Sequence, residues 1–263
     1  MRDSSTHKHQ IAVVGGGAAG LVVAFGAAAA GIDVALIEAD RLGGECTWTG
    51  CVPSKTFIDA ARRVHEARTS SRIGIGASDV TIDFARLMRH VHDTSVHVAA
   101  EEGTQRASAA GISVYQSFGR FEDSSTLALD SGERVTAKRI VLATGGRPQI
   151  PPPLDGVRHL TYETVWGLTE LPEHLAVIGG GAIGTELAQA FRRLGSKVTI
   201  ITDVEHLVPT AHPEASELIT ERLISEGTTI HTNTKVVSAA ESDDHIRLAI
   251  EDGTVIAASH VLV

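Results

Sequence analysis

Hydrophobic and polar positions fall into one arrangement that occurs twice along the chain. Ile11-Ala12-Val13-Val14 is an uninterrupted apolar run, followed by Gly15-Gly16-Gly17-Ala18-Ala19-Gly20 and an alanine-rich apolar stretch. Gly31 closes that stretch, and a second apolar run, Val34-Ala35-Leu36-Ile37, comes after it. The order begins again at Leu175-Ala176-Val177-Ile178, with Gly179-Gly180-Gly181-Ala182-Ile183-Gly184, Gly195 and Val198-Thr199-Ile200-Ile201. Short apolar runs bounded by glycine predict strands buried on both faces. Each copy therefore reads as strand, glycine turn, helix, strand, which is half of a doubly wound parallel sheet. Ile11 to Ile32 is long enough to score as a membrane span. Glycine at 15, 16, 17, 20, 26 and 31 interrupts it, Asp33 and Glu38 follow, and no cationic flank sets an orientation. A buried strand–turn–helix is expected, with no membrane partner.

Between the copies, apolar residues recur at helical spacing (Phe57, Ile58, Ala61, Val64; Phe84, Leu87, Met88, Val91), predicting helices over Val52 to Ser70 and Asp83 to Ala110. Strands are predicted at Ser113 to Gln116, Thr126 to Leu129 and Arg134 to Leu142. The Pro151-Pro152-Pro153 run stiffens a crossover and marks a boundary, giving domains 1–150 and 151–263. Pro213 to Glu226 reads as a further crossover helix, followed by strands near 228–231, 236–239, 245–250 and 254–257. Met1 to Gln10 is polar and reads as a frayed lead-in without the features of a secretory signal. The fold class is α/β with two Rossmann-like dinucleotide-binding domains.

The first glycine of each Gly-x-Gly-x-x-Gly permits the tight turn, the second lets a pyrophosphate approach the backbone, and the third allows close strand–helix packing. Glu38 closes the second strand of the first copy, where a carboxylate can accept hydrogen bonds from both ribose hydroxyls. Formal charge is −9 with basic residues scattered, so neither nucleic acid nor an anionic membrane is an expected partner. The two cysteines, Cys46 and Cys51, are too few for a structural framework and fit a reducing cytoplasm. They lie just after the first glycine turn, where the far end of a bound dinucleotide should arrive. That placement suggests a relay from cofactor to disulfide to substrate.

On these residues the chain resembles the pyridine nucleotide-disulfide oxidoreductases, a flavoprotein family. The matches are Gly15-x-Gly17-x-x-Gly20 with Glu38, Gly43-Gly44-Glu45-Cys46-x-x-x-x-Cys51-Val52-Pro53-Ser54-Lys55, Ala143-Thr144-Gly145, and Gly179 to Gly184 with Glu186. The wording around the cysteines is similar to the dihydrolipoamide dehydrogenase and mercuric reductase branch. The resemblance implies FAD in the first domain and a nicotinamide nucleotide in the second. It implies that Cys51 lies against the flavin, that Cys46 is the exposed thiol meeting substrate, and that Lys55 pairs with Glu186 near the flavin's reactive nitrogen. Other cofactor-binding positions it implies are Ala18, Gly44, Gly119, Thr144, Gly145, Gly181, Ala182, Ile183, Thr202 and Val236. The substrate class is a small disulfide or dithiol, or a soft metal ion, and no resident metal site is expected. Thiolate is the reactive form, and a helix N-terminus with a nearby cation favours it.

Three features depart from the family pattern. Thr202 stands where NAD-preferring members carry an acid, and Asp203 and Glu205 follow with no nearby Arg, which favours NADH over NADPH on Coulombic grounds. His212-Pro213 with Glu217 imitates the family's acid–base histidine signature, yet its position predicts only the start of a crossover helix. The chain stops at Val263 in a strand-like run, so the rest of the FAD domain and the interface domain that makes relatives homodimers are expected to be absent. Two other readings stay open: a catalytically silent nucleotide-binding fragment, and a flavin oxidoreductase that does not use the cysteines.

Overall fold

The computed structural model describes residues 5–76, 80–242 and 244–263, which form two compact units. The first comprises Met1–Val52 and Asp93–Arg147, the second Pro53–His92 and Pro148–Val263. The later crossing falls beside the proline run. A single boundary at 150 does not describe the grouping, however, because residues 53–92 belong with the second unit.

In the first unit, β1 (Thr6–Val14), α1 (Ala18–Ala29), β2 (Val34–Glu38) and the short α2 (Gly44–Trp48) come first. Then α3 (Cys51–Thr69) and α4 (Phe84–Glu102) carry the chain through the second unit and back. The first unit finishes with α5 (Thr104–Ala109), β3 (Ser113–Gln116), β4 (Gly119–Phe121), β5 (Thr126–Leu129) and β6 (Arg134–Leu142). The sheet order is β3-β2-β1-β6-β5-β4. β1 runs parallel to β2 in register from Ile11↔Val34 to Val14↔Ile37, and parallel to β6, while β5 and β4 are antiparallel. Because β1 is central, consecutive residues enter different cores. Val13 packs with Leu21, Leu36, Ala107 and Ile112, and Ala12 packs with Ile37, Leu127 and Val135. That two-sided burial is why these strands read as unbroken apolar runs.

Two local expectations change, and one strand adds to those predicted. Thr6–Gln10 are not frayed; they extend β1 along β6, from Thr6↔Arg134 to His9↔Ala137 (Met1–Ser4 lie outside the described residues). Their polar side chains find partners on the sheet. His7 Nε2 lies 3.2 Å from Glu133, His9 Nδ1 lies 3.0 Å from Asp33, and His9 Nε2 lies 3.0 Å from the Tyr115 hydroxyl. The helix expected over 83–110 breaks at Gly103, whose extended backbone (ψ −176°) starts α5. β4 is a short strand carried by pairing with β5 rather than by any alternation of its own.

The second unit contains β7 (His174–Ile178), α6 (Ala182–Leu194), β8 (Lys197–Ile201), α7 (Pro213–Ser225) and β9 (Thr229–His231). It continues with β10 (Val236–Glu241), β11 (Ile246–Ile250), β12 (Val255–Ala258) and β13 (His260–Leu262). Its main sheet, β13-β7-β8-β9, is wholly parallel and repeats the order β6-β1-β2-β3, while β10-β11-β12 form an antiparallel meander. Phe57 and Ala61 of α3 and Phe84, Met88 and Val91 of α4 pack on Phe191, Leu187, Leu175 and Ile200. The Phe57 ring lies 4.9 Å from Phe191 and 6.3 Å from Phe84, and such aromatic pairs add about 0.5–1.5 kcal/mol each beyond area burial. This aromatic core explains the grouping of residues 53–92. Among the described residues, no helix is long and apolar enough to cross a membrane.

His174, at the start of β7, is 8% exposed, and its Nε2 lies 2.9 Å from the Thr199 hydroxyl. Burial first, and Lys197 second, hold its pKa below the ordinary 6.5. The unfolded chain therefore takes up this proton more readily. The stability it represents is full above about pH 6.5 and is lost as pH falls below that value, with a slope of at most about 1.4 kcal/mol per pH unit for one group. Thermal melting from pH 7.5 to 5.5 is expected to show a falling midpoint, and His174→Gln is expected to flatten part of that fall.

Candidate functional site

The turn between β1 and α1 is built on backbone contacts. Gly15 has φ +106° and donates its N–H to Ile37 O at 2.8 Å. A Cβ on Gly20 would lie 1.8 Å from Gly15 O, so only glycine lets α1 start so close to the strand. Gly17 is the N-cap of α1 with extended backbone and no side-chain cap, and Ala18 is the first helical residue. The N–H groups of that first turn have no intrahelical acceptor, and with the helix dipole they favour a phosphate. Glu38, at the end of β2, is anchored by two backbone donors: Gly16 N–H to Oε2 at 2.5 Å and Asp40 N–H to Oε1 at 2.8 Å. Each carboxylate oxygen keeps a further lone pair for a hydroxyl. Ala143 follows β6 against Gly15, which sets Thr144 and Gly145 beside the turn, and Gly119 at the start of β4 packs on Ile37 and Leu129.

The cysteine segment is bonded to the same turn. Gly43 donates its N–H to Gly16 O at 2.9 Å, Gly43 bridges Gly17, and a Cβ on Gly44 (φ +54°) would lie 2.5 Å from Gly17 Cα. Cys46 sits in α2, and the chain folds back so closely that a Cβ on Gly50 would lie 3.3 Å from Cys46 Cα. Cys51 is the first residue of α3. Cys46 is half-buried and Cys51 exposed. Spacing gave no signal for Trp48 and Arg41. The Trp48 indole donates to Leu42 O at 2.9 Å, and the Arg41 guanidinium lies 4.0 Å over its ring. Both line a cavity of about 190 Å³ with Glu38, Asp40 and Gln116.

The second unit repeats this construction. Gly179 has φ +109° and donates to Ile201 O at 2.8 Å, and Gly181 is the uncapped N-cap of α6. Where Glu38 holds Gly16, Thr202 holds Gly180, whose N–H donates to the Thr202 hydroxyl at 3.0 Å. Where Gly43 N–H meets Gly16 O, Val208 N–H meets Gly180 O at 2.6 Å, and Val208 has φ +50°. The equivalence therefore continues beyond the stretch in which residue types match. Gly179, Gly181, Ala182, Ile183 and Gly184 line a cavity of about 410 Å³ with Tyr162. Thr202 (3% exposed) and Val236 (7%) are both buried, Thr202 with its hydroxyl on the loop and Val236 with its side chain in the apolar core. Asp203 lies 3.6 Å from Lys235 Nζ, a cation that the stretch after β8 does not itself contain. Lys55 and Glu186 meet at 2.7 Å, both more than two-fifths exposed, a geometry in which an ion pair contributes roughly 0–1 kcal/mol. His212 occupies the N-cap position of α7 without a side-chain capping bond, with Pro213 as the first helical residue and Glu214 in the first turn, as its position predicts. Among the described residues, no group of three or more His, Cys, Asp or Glu is placed to hold a metal.

Residues 9–263 match the sequence profile of the family described as pyridine nucleotide-disulphide oxidoreductase. The chain is 35% identical to a mercuric reductase of Streptomyces lividans over 97% of its own length and 56% of the relative's. It is 34% identical to a dihydrolipoyl dehydrogenase of Geobacillus stearothermophilus, covering 95% of this chain and 55% of that one. In structure it is similar to LpdA from Mycobacterium tuberculosis (TM-score 0.86, 28% identity, 97% and 57% coverage). It is similar also to the HOCl-induced flavoprotein disulfide reductase RclA from Escherichia coli (TM-score 0.82, 25% identity, 97% and 55% coverage). The chain thus spans about half the length of the curated relatives it matches.

The two glycine turns differ in tightness. A Cβ at Gly184 would meet Gly179 O at 2.9 Å and Val177 Cγ1 at 3.1 Å, against 1.8 Å at Gly20. Gly20→Ala is expected to destabilise the chain by about 3 kcal/mol or more, and Gly184→Ala by roughly 1–2 kcal/mol, since overpacking typically costs about 1–3 kcal/mol. Urea unfolding of the two variants checks the ranking.

Proposed function

The chain belongs to the pyridine nucleotide-disulphide oxidoreductases, and from that premise we propose that it passes electrons from NADH through FAD to a Cys46–Cys51 disulfide and on to a substrate. The observation that carries this reading is the direct bonding of the cysteine segment to the first glycine turn, through Gly43 to Gly16 and Gly44 against Gly17. The residues present fit a dinucleotide. The uncapped first turn of α1 suits a pyrophosphate, Glu38 is anchored to accept ribose hydroxyls, and Gly44 lies so close to Gly17 that a Cβ on Gly44 would clash. Gly15, Gly17, Ala18, Gly20, Glu38, Gly44, Gly119, Thr144 and Gly145 would hold FAD. Gly179, Gly181, Ala182, Ile183 and Gly184 would hold the nicotinamide nucleotide, with Thr202 supporting the loop. When bound, FAD supplies the two-electron chemistry between nicotinamide and sulfur.

The chain's own part is thiol chemistry. On taking up two electrons and two protons, the Cys46–Cys51 disulfide becomes two thiols. The Cys46 thiolate attacks a substrate disulfide, forming a mixed disulfide and releasing the first product thiol. Cys51 then attacks the Cys46 sulfur, which releases the second thiol and restores the disulfide. A helix start favours negative charge, and Cys51 is the first residue of α3. A dithiol substrate runs the sequence in reverse, and a soft metal ion is held by the two thiolates instead. NADH is favoured because Asp203 and Glu205 follow β8, with Lys235 offsetting only part of that charge.

In the FAD-loaded chain, Cys46→Ser is expected to keep NADH-dependent bleaching of the flavin while losing disulfide-dependent NADH oxidation at least about 100-fold. Cys51→Ser loses the same turnover. Unchanged turnover in either variant defeats the dithiol mechanism. For the coenzyme, Asp203→Ala should raise the NADPH-to-NADH ratio of kcat/KM several-fold, measured by stopped-flow flavin reduction.

A further inference from the structure

We propose that the second unit binds a phosphate-type oxyanion in a basic cavity formed where α3, α6 and α7 end. The cavity encloses about 300 Å³. It lies at the opposite end of α6 from the glycine turn, roughly 20 Å away along a 13-residue helix, so it is separate from the nucleotide site. The inference goes beyond the electron-transfer reading and depends on neither flavin nor cysteine.

Five arginines line this cavity: Arg68 and Arg72 from the end of α3 and the turn after it, Arg192 and Arg193 from α6, and Arg222 from α7. Basic residues at helix C-termini have an ordinary role, and part of the set fills it. Arg68 donates to Arg193 O at 2.7 Å, while Arg192 donates to Glu226 O at 2.8 Å and Ser196 O at 3.2 Å. Glu226 is the one carboxylate lining the cavity among the described residues, and its side chain is 6% exposed. Arg193 grips it through two bonds of 2.9 and 2.8 Å, and Arg222 Nε donates to it at 2.6 Å. Burial pushes the Glu226 carboxyl up, but Arg193 and the neighbouring cations outweigh burial and leave it low, so it carries its full negative charge.

These bonds do not balance the charge. His65 Nε2 lies 3.0 Å from Arg222 Nη2, and because a guanidinium can only donate, that nitrogen must be the acceptor of a neutral ring. Burial, then Arg193, Arg222 and Arg72, press the His65 pKa down against the pull of Glu226. Five fixed positive charges therefore share one fixed negative charge, in a chain whose net charge is −9. Beyond the bonds given, and among the described residues, donor nitrogens remain on every one of these arginines. They are Nε and Nη2 of Arg68, Nη2 of Arg192, Nη1 of Arg193, Nη1 of Arg222 and the whole Arg72 guanidinium. Clustered guanidiniums with spare forks match the oxygens of a phosphate, which would also relieve their mutual repulsion. The volume suits one phosphoryl or pyrophosphoryl group with its waters rather than a large ligand.

Calorimetric titration of the full chain tests this at pH 7.5 and constant ionic strength in chloride, with inorganic phosphate, pyrophosphate and glycerol phosphate as separate probes. Saturable heat is expected, with Arg72→Gln weakening binding at least fivefold and the Arg68→Gln/Arg72→Gln pair at least tenfold. If the double variant melts early, Arg72→Gln alone keeps the test, since no side-chain bond of Arg72 is among those described. Equal affinity for inorganic phosphate and glycerol phosphate identifies a free inorganic anion, and tenfold preference for the ester identifies the phosphoryl end of an organic molecule. Both results support the site. No heat beyond that of added chloride overturns it, and so does binding that Arg72→Gln leaves intact but NADH displaces, which would locate the anion at the glycine turn instead.

Discussion

The near-contact of Gly20 with Gly15 O governs the first unit. It brings the start of α1 up to the end of β1, and nearly every candidate position there is measured from that junction. Gly16 N–H points at Glu38 because the turn is closed, and Gly16 O accepts from Gly43 for the same reason. The cysteine segment thus inherits its place from a glycine turn some thirty residues earlier in the chain. A side chain at Gly20 would open the turn, release the carboxylate anchor and move the thiols together, although it touches none of them.

The second unit keeps the architecture and changes its content. Thr202 replaces Glu38 as the acceptor for the glycine N–H, and Val208 replaces Gly43 as the donor to the glycine carbonyl. A buried hydroxyl satisfies the loop without adding charge, whereas Glu38 satisfies it with a carboxylate held by two backbone donors. Val208 takes the left-handed backbone that Gly43 takes without strain, an uncommon state for a β-branched residue. Two units related by one fold therefore differ in content: the first holds both cysteines beside its glycine turn, the second the cavity lined by Gly179, Gly181, Ala182, Ile183 and Gly184.

Charge is distributed with similar asymmetry. Along the sequence the basic residues look scattered, yet three helices that end together place five arginines around a single buried carboxylate. Each guanidinium at a helix end answers the negative end of that helix's dipole. Because three such ends coincide, the local sum exceeds what the backbone needs.

The repeated glycine turns, the parallel strands around them, Glu38 and the Cys46–Cys51 block were legible in the residues alone. Each rests on short-range rules: a positive φ that glycine alone adopts freely, a strand apolar on both faces, a helix that starts where proline is tolerated. Family membership followed from the same residues. The partners supplied by distant parts of the chain were not legible. Thr6–Gln10 look like a polar tail until β6 offers them a strand to pair with, and residues 53–92 look like part of the first domain until Phe57 meets Phe191. Lys235 beside Asp203, Arg41 over Trp48 and the arginines around Glu226 are likewise products of packing. Local backbone preference is written residue by residue, whereas charge neutralisation and burial depend on which surfaces meet, and only the folded chain decides that.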